Sequence, residues 1–105
     1  MSEDAFVYLL ACADSSLYCG WTIDLDRRLA SHSAGRGAAY TRARLPVRVA
    51  AAWRCSSRTQ ARSLEGRVKR LPRATKLALV DGRILIAEAC RLTEPDAGGA
   101  VRLTL

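Results

Sequence analysis

Three ionisable side chains fall where apolar ones are expected, and their chemistry differs. Leu25 and Leu29 mark the buried stripe of one helix, and Arg28 and His32 follow Leu25 at offsets i+3 and i+7, on or beside that stripe. A second stripe, Ala61, Leu64 and Val68, carries Glu65 four positions after Ala61. A half-buried charge is costly unless it is paired or holds a metal, so an inward guanidinium, imidazole and carboxylate in one small domain suggest a site more than they suggest stability. Spacing alone leaves two plainer readings open. Arg28 and Glu65 would form a structural salt bridge, or His32 would be a core histidine hydrogen-bonded to backbone.

Charge narrows the choice. The 105-residue chain carries a net +7, unevenly spread. From Arg27 to Lys76 there are twelve Arg, two Lys and one acid, Glu65, a balance of +13, whereas the two flanks together hold three Arg and nine acids, a balance of −6. A basic block of this kind points first to a polyanion-binding surface, nucleic acid foremost, although a solvated surface rich in arginine through coding bias gives the same count and charge alone does not decide between them. The length allows one ordinary domain. No apolar run approaches the roughly 20 residues that span a bilayer, and "MSEDAFVYLL" has acids where a signal peptide needs a basic start, so a cytoplasmic protein is expected. Cys12, Cys19, Cys55 and Cys90 form no C-x-x-C pair and the chain has one histidine, which argues for buried free thiols over a zinc site or disulfide framework.

The elements that position these groups follow from pattern. "AFVYLLAC" and "LYCGWT", separated by the turn-forming "ADSS", read as a β-hairpin bearing Tyr8 and Tyr18, residues that would ordinarily be packing aromatics. Asp24 is a plausible N-cap for a helix of two to three turns that Gly35 can stop. "SAGRGAAYTRAR" reads as a Gly- and Arg-rich connection. In "VRVAAAW" Val47, Val49, Ala51 and Trp53 alternate along one face of a third strand. Ser57 and Gln60 form a capping box ahead of a helix over about 57–71, which Pro72 interrupts before it begins another, "PRATKLALV", ended by Gly82. In the tail, "RILIAEACRL" and "AVRLTL" are two candidate strands, the first equally readable as helix.

"VYLL", "LYCGWTIDLDRRLASH", "GRGAAYTR" and "SLEGRVKRL", in that order, resemble the GIY-YIG nuclease domain, in particular its small stand-alone bacterial members, over about residues 5–80. Tyr8 matches the tyrosine of the first signature triplet and Tyr18 that of the second, ten positions on and reading "YCG". Arg28 and His32 match the arginine and histidine of the following helix, Tyr40 a loop tyrosine, and Glu65 the metal-binding glutamate. The chain departs from the pattern at Phe6-Val7-Tyr8, which lacks the first glycine, at Cys19, and in having no counterpart to the late asparagine of some members.

The resemblance implies an α/β fold, a small three-stranded antiparallel sheet flanked by helices, with residues 1–82 as the nuclease-like domain and 83–105 as a C-terminal extension packed on it. It implies a metal-dependent endonuclease on DNA, structure-selective in repair or processing, with RNA left open as substrate and a monomer expected. Glu65 would hold Mg²⁺ or Mn²⁺, Arg28 the non-bridging phosphate oxygens, Tyr8 the attacking water and Tyr18 water or phosphate, with His32, Arg28 and the metal lowering the Tyr8 pKa. Arg27, Arg36, Tyr40, Arg42, Arg44, Arg62 and Lys69 would contact the nucleic acid. The alternative is a binding module that keeps the fold and charge without cutting. For Tyr8 and Tyr18 to share a site they must lie on one face of the hairpin, which requires a three- or five-residue loop or a bulge in place of a clean four-residue turn.

Overall fold

The computed structural model describes residues 4–93 and the strand Val101–Leu103. Strands β1 (Ala5–Ala11) and β2 (Leu17–Thr22) pair antiparallel with Ala11 opposite Leu17, so the hairpin loop is residues 12–16, five long. Asp14 shapes it by accepting from the backbone N–H of Ser16, a local turn that extends the connection by one residue beyond "ADSS". Tyr8 then stands opposite Gly20 and Leu10 opposite Tyr18, and the two tyrosines share a face.

Strand β3 (Arg48–Cys55) runs antiparallel to β1 on its other side, and β5 (Cys90–Arg91) pairs with β3, giving the order β2-β1-β3-β5. The sheet therefore has four strands where three were expected. The fourth comes from the tail, whose β4 (Ile84–Ile86) pairs in parallel with β6 (Val101–Leu103). The alternation expected of β3 is also broken. Leu9 faces Ala51 but Leu10 faces Val49, so Ala50 is bulged out and Val49 is exposed instead of joining Ala51 and Trp53 in the core.

Strand alternation divides the interior. On one side of the sheet Val7, Leu9, Cys19, Ala51, Trp53 and Cys55 pack against Ala61, Leu64 and Val68 of α3 (Arg58–Lys69) and Leu79 of α4 (Arg73–Asp81). On the other, Tyr8, Leu10 and Ala52 meet Leu25 and Leu29 of α1 (Leu25–Ser33). A short helix, α2 (Ala39–Arg42), lies within the connection read as irregular. Caps fix where the helices start. Asp24 accepts from the Arg27 N–H ahead of α1, and Ser57 from the Gln60 N–H ahead of α3. The return bond of the capping box is displaced by one residue, because the Gln60 carbonyl takes the N–H of Ser56 while its amide donates to Glu88 O. Gly82, at φ 78°, ends α4 in the left-handed conformation. Cys12, Cys19 and Cys55 are buried free thiols as expected, but Cys90 on the edge strand is exposed. No helix among the described residues is long and apolar enough to cross a membrane.

Candidate active site

Tyr8, Gly20 and Tyr18 project together beneath α1. Gly20 permits this, since a Cβ there would overlap the Tyr8 hydroxyl. Tyr8 and His32 are both 0% exposed, and the Tyr8 hydroxyl lies 2.9 Å from His32 Nε2. From above, Arg28 Nε donates to the same hydroxyl at 3.4 Å. On the far side of the imidazole, His32 Nδ1 lies 2.8 Å from Thr41 Oγ1, and that hydroxyl donates to the carbonyl of Ala38 at 3.0 Å. Gly37 closes over the ring so tightly that a Cβ there would overlap Nδ1. His32 is thus a core histidine, but one bonded to side chains on both nitrogens instead of to backbone.

The electrostatics follow from this packing. Burial raises the Tyr8 pKa above its ordinary 10.0, and the hydrogen bond and charge of Arg28 pull it back only in part. Of the groups expected to acidify Tyr8, Arg28 does act in that direction, but desolvation wins. Burial, and after it the Arg28 charge, lowers the His32 pKa below 6.5, so the imidazole is neutral at pH 7. Donating to Tyr8 raises the already high Arg28 pKa further.

An aromatic row extends the cluster. The Tyr18 ring sits 5.4 Å from His32 and stacks on Tyr40 at 5.8 Å, while the Arg44 guanidinium lies 3.8 Å over the outer face of Tyr40. Arg44 also binds Asp14 at 2.9 Å, tying the hairpin loop to α2. Tyr40 thus contacts both Tyr18 and Arg44 while remaining 38% exposed.

Glu65 lies across the sheet from this cluster. Its backbone carbonyl accepts from the thiol of Cys19, the residue between Tyr18 and Gly20 on the free edge strand β2. Its carboxylate, 18% exposed, pairs with Lys69 at 3.4 Å one turn along α3. Burial, reinforced by the Glu65 charge, pushes the Cys19 thiol up to about 12, which makes it an inert spacer. Arg28 and Glu65 thus take different partners, and the salt bridge between them is not among the described contacts.

The structure brings Tyr8, Tyr18, Arg28, His32, Tyr40 and Arg44 into one contact network and sets Glu65 with Lys69 beneath the same edge strand. Arg27 is exposed on α1 and lines a shallow pocket with Thr22, Ile23, Asp24, Arg28 and Ser31. Arg36, Arg42 and Arg62 are exposed, Arg62 on α3. Sequence reasoning missed Thr41, Gly37, Gly20 and Asp14 as positioning groups. The first two stand within or beside "GRGAAYTR", and that stretch was their only signal.

The GIY-YIG catalytic domain family matches residues 4–78. The UPF0213 protein NP_0776A of Natronomonas pharaonis is 46% identical over 80 residues, 76% of this chain and 94% of that one. A UPF0213 protein of Lactococcus lactis subsp. cremoris is 44% identical over 81 residues, 76% and 83%. The solution NMR structure of the UPF0213 protein BH0048 from Bacillus halodurans is 45% identical, covering 73% of this chain and 82% of that one, with a TM-score of 0.49. With most of its length matched and the signature tyrosines, arginine, histidine and glutamate in order, the chain belongs to the GIY-YIG catalytic domain family.

Proposed function

We propose that this protein is a metal-dependent endonuclease hydrolysing DNA phosphodiester bonds, with Tyr8, Tyr18, Arg28, His32 and Glu65 as its catalytic residues. The observation that supports this best is the line from the part-buried Arg28 through the buried Tyr8 to the buried His32, polar groups held together between α1 and the sheet of a strongly basic domain. Phosphodiester hydrolysis needs an oriented water, counter-charge at the phosphate and relief of charge on the leaving 3′ oxygen.

The donor set suits a hard cation. Among the described residues no three His, Cys, Asp or Glu side chains converge. A single carboxylate, Glu65, matches Mg²⁺ or Mn²⁺, ions that keep several waters and take phosphate oxygens as ligands. Glu65 would hold such an ion, which would supply charge neutralisation at the phosphate and lower the pKa of water. Arg28 turns from Tyr8 to the non-bridging oxygens, which its planar fork fits. That movement uncovers the Tyr8 oxygen, which accepts a hydrogen bond from the attacking water and takes its proton as the tyrosine's own proton passes to His32 Nε2. Tyr18 donates to water or phosphate. Arg27, Arg36, Arg42 and Arg62 hold the phosphate backbone without reading sequence, so affinity falls steeply with salt. Tyr40 and Arg44 shape the surface beside Tyr18.

One observation favours a second reading, a binding module that no longer cuts: Lys69 already neutralises the carboxylate the metal needs. The deciding experiment is incubation with single-stranded, nicked, branched and supercoiled DNA, with Mg²⁺ or Mn²⁺ and with chelator, beside Glu65→Gln. Cleavage that needs metal and disappears in the variant, with binding retained, is the expected outcome. Binding without cleavage, insensitive to chelator and to the substitution, supports the module.

A further inference from the structure

The hydrogen bonds around His32 have a direction, and both ends of the line fix it. Arg28 can only donate, so at the Tyr8 hydroxyl it supplies a hydrogen. The Ala38 carbonyl can only accept; it takes the Arg42 N–H at 3.0 Å and, on its second lone pair, the single hydrogen of the Thr41 hydroxyl. Between these ends lie Tyr8, His32 and Thr41, and only one arrangement gives every link one hydrogen. Tyr8 O–H points at His32 Nε2, His32 Nδ1–H at Thr41 Oγ1, and Thr41 O–H at Ala38. The opposite tautomer would aim Nε2–H at a tyrosine oxygen already receiving from Arg28 and would orphan the tyrosine's own hydrogen. Among the described residues no buried side-chain nitrogen or oxygen lacks a partner, and Tyr8 is fully buried, so that loss would be costly.

We infer that Thr41 is a positioning residue that holds His32 as the Nδ1–H tautomer and so sets the polarity of Tyr8. The tautomer stands on the geometry alone; its catalytic consequence rests on the nuclease reading above. With its hydrogen committed inward, Tyr8 offers the reacting water only an oxygen lone pair, the polarity a base needs. In the attack, a water proton passes to Tyr8 Oη as the tyrosine proton moves to His32 Nε2. The resulting hydroxide bonds to phosphorus, the bond to the 3′ oxygen breaks, and that oxygen takes a proton from solvent. Gly37 serves the same end, since only a residue without a Cβ lets the loop close on the imidazole and bring Thr41 to Nδ1.

His32 is the only histidine in the chain, so an imidazole signal is unambiguous. In protein labelled with ¹⁵N-histidine, two-bond correlations should show a protonated, pyrrole-type Nδ1 and an unprotonated, pyridine-type Nε2 in the wild type. Thr41→Ser should keep that pattern. Thr41→Val, which preserves shape but removes the acceptor, should shift the ring toward Nε2–H. Cleavage by Thr41→Val should fall about tenfold or more in kcat with DNA affinity unchanged, and Thr41→Ser should restore most of the rate. A wild-type ring protonated on Nε2 would overturn the inference, as would a folded Thr41→Val with an unchanged ring. If Thr41→Val does not fold, the wild-type and Thr41→Ser spectra still decide. The predicted tautomer in a protein that cuts nothing would leave the inference standing and remove the nuclease reading.

Discussion

The two faces of the sheet carry the two halves of the candidate site, and they are prepared differently. On the α1 face, Tyr8, His32 and Thr41 are dry, mutually hydrogen-bonded and fixed in proton direction before any substrate arrives. On the α3 face, Glu65 is partly exposed and its carboxylate is held by Lys69, which a cation bound there would have to displace. A neutral line can be buried complete, because every donor finds an acceptor. A lone carboxylate cannot be left dry and unpaired, and a surface lysine is a low-cost partner that a cation could replace.

Substitutions at Glu65 and Lys69 test that contrast most severely. Glu65→Gln should lower metal-dependent cleavage by about 10³-fold or more, a loss of several kcal/mol of transition-state stabilisation, without weakening DNA binding. Lys69→Ala should move the other way, lowering the metal concentration needed for half-maximal rate because the carboxylate no longer has a competing partner. Rates titrated against Mg²⁺ for the three proteins check both. An unchanged metal requirement in Lys69→Ala would mean that the ion pair is incidental.

Glycines sharpen the contrast at the level of stability. Gly20→Ala and Gly37→Ala each place a methyl group against buried polar atoms of Tyr8 or His32, and each should destabilise by about 1–3 kcal/mol, with cleavage falling further than stability explains. On α3, Gly66 is a helix-interior glycine whose added Cβ would meet only the end of the Arg70 side chain, at 3.5 Å. Gly66→Ala should therefore stabilise by about 0.5–1 kcal/mol. Urea titrations of the three variants give the comparison directly.

What could be read from the sequence separates along similar lines. Features fixed by local chemistry were legible: the Asp24 and Ser57 caps, the left-handed stop at Gly82, and the inward placement of Arg28, His32 and Glu65. The shared face of the two tyrosines demanded a three- or five-residue hairpin loop or a bulge, and the structure has the loop of five. Features fixed by tertiary contact were not. Nothing local marks Ala50 as a bulge, because the irregularity arises from pairing with Leu9 and Leu10. A strand in "RILIAEACRL" was one of the two readings of the tail, but not its division into β4 and β5 or the docking of β5 on the free edge of β3, which Arg91 supports by donating to the carbonyls of Leu79 and Val80 in α4. Thr41 looked like a loop threonine, and its meaning depends on an imidazole nine residues earlier whose orientation only the fold supplies.

The smallest expected effect concerns pH, and it probes the prepared half alone. His32 has its folded pKa lowered below 6.5, so the folded state prefers the neutral ring and the unfolded chain takes up the proton first as pH falls. This contribution to stability is complete above pH 6.5, diminishes below it, and is spent once the folded pKa is passed. Thermal melts should show a Tm that declines below pH 6.5, whereas His32→Gln, less stable throughout, should lack that slope between pH 5 and 7. Single-turnover cleavage should follow the same window, level from about pH 7 to 9 and falling as the ring protonates, because a charged imidazole can no longer accept from Tyr8. A rate that instead climbs about tenfold per unit through pH 9 would identify tyrosinate as the base and leave His32 a packing role, since the fraction of ionised phenol grows by that factor below its pKa.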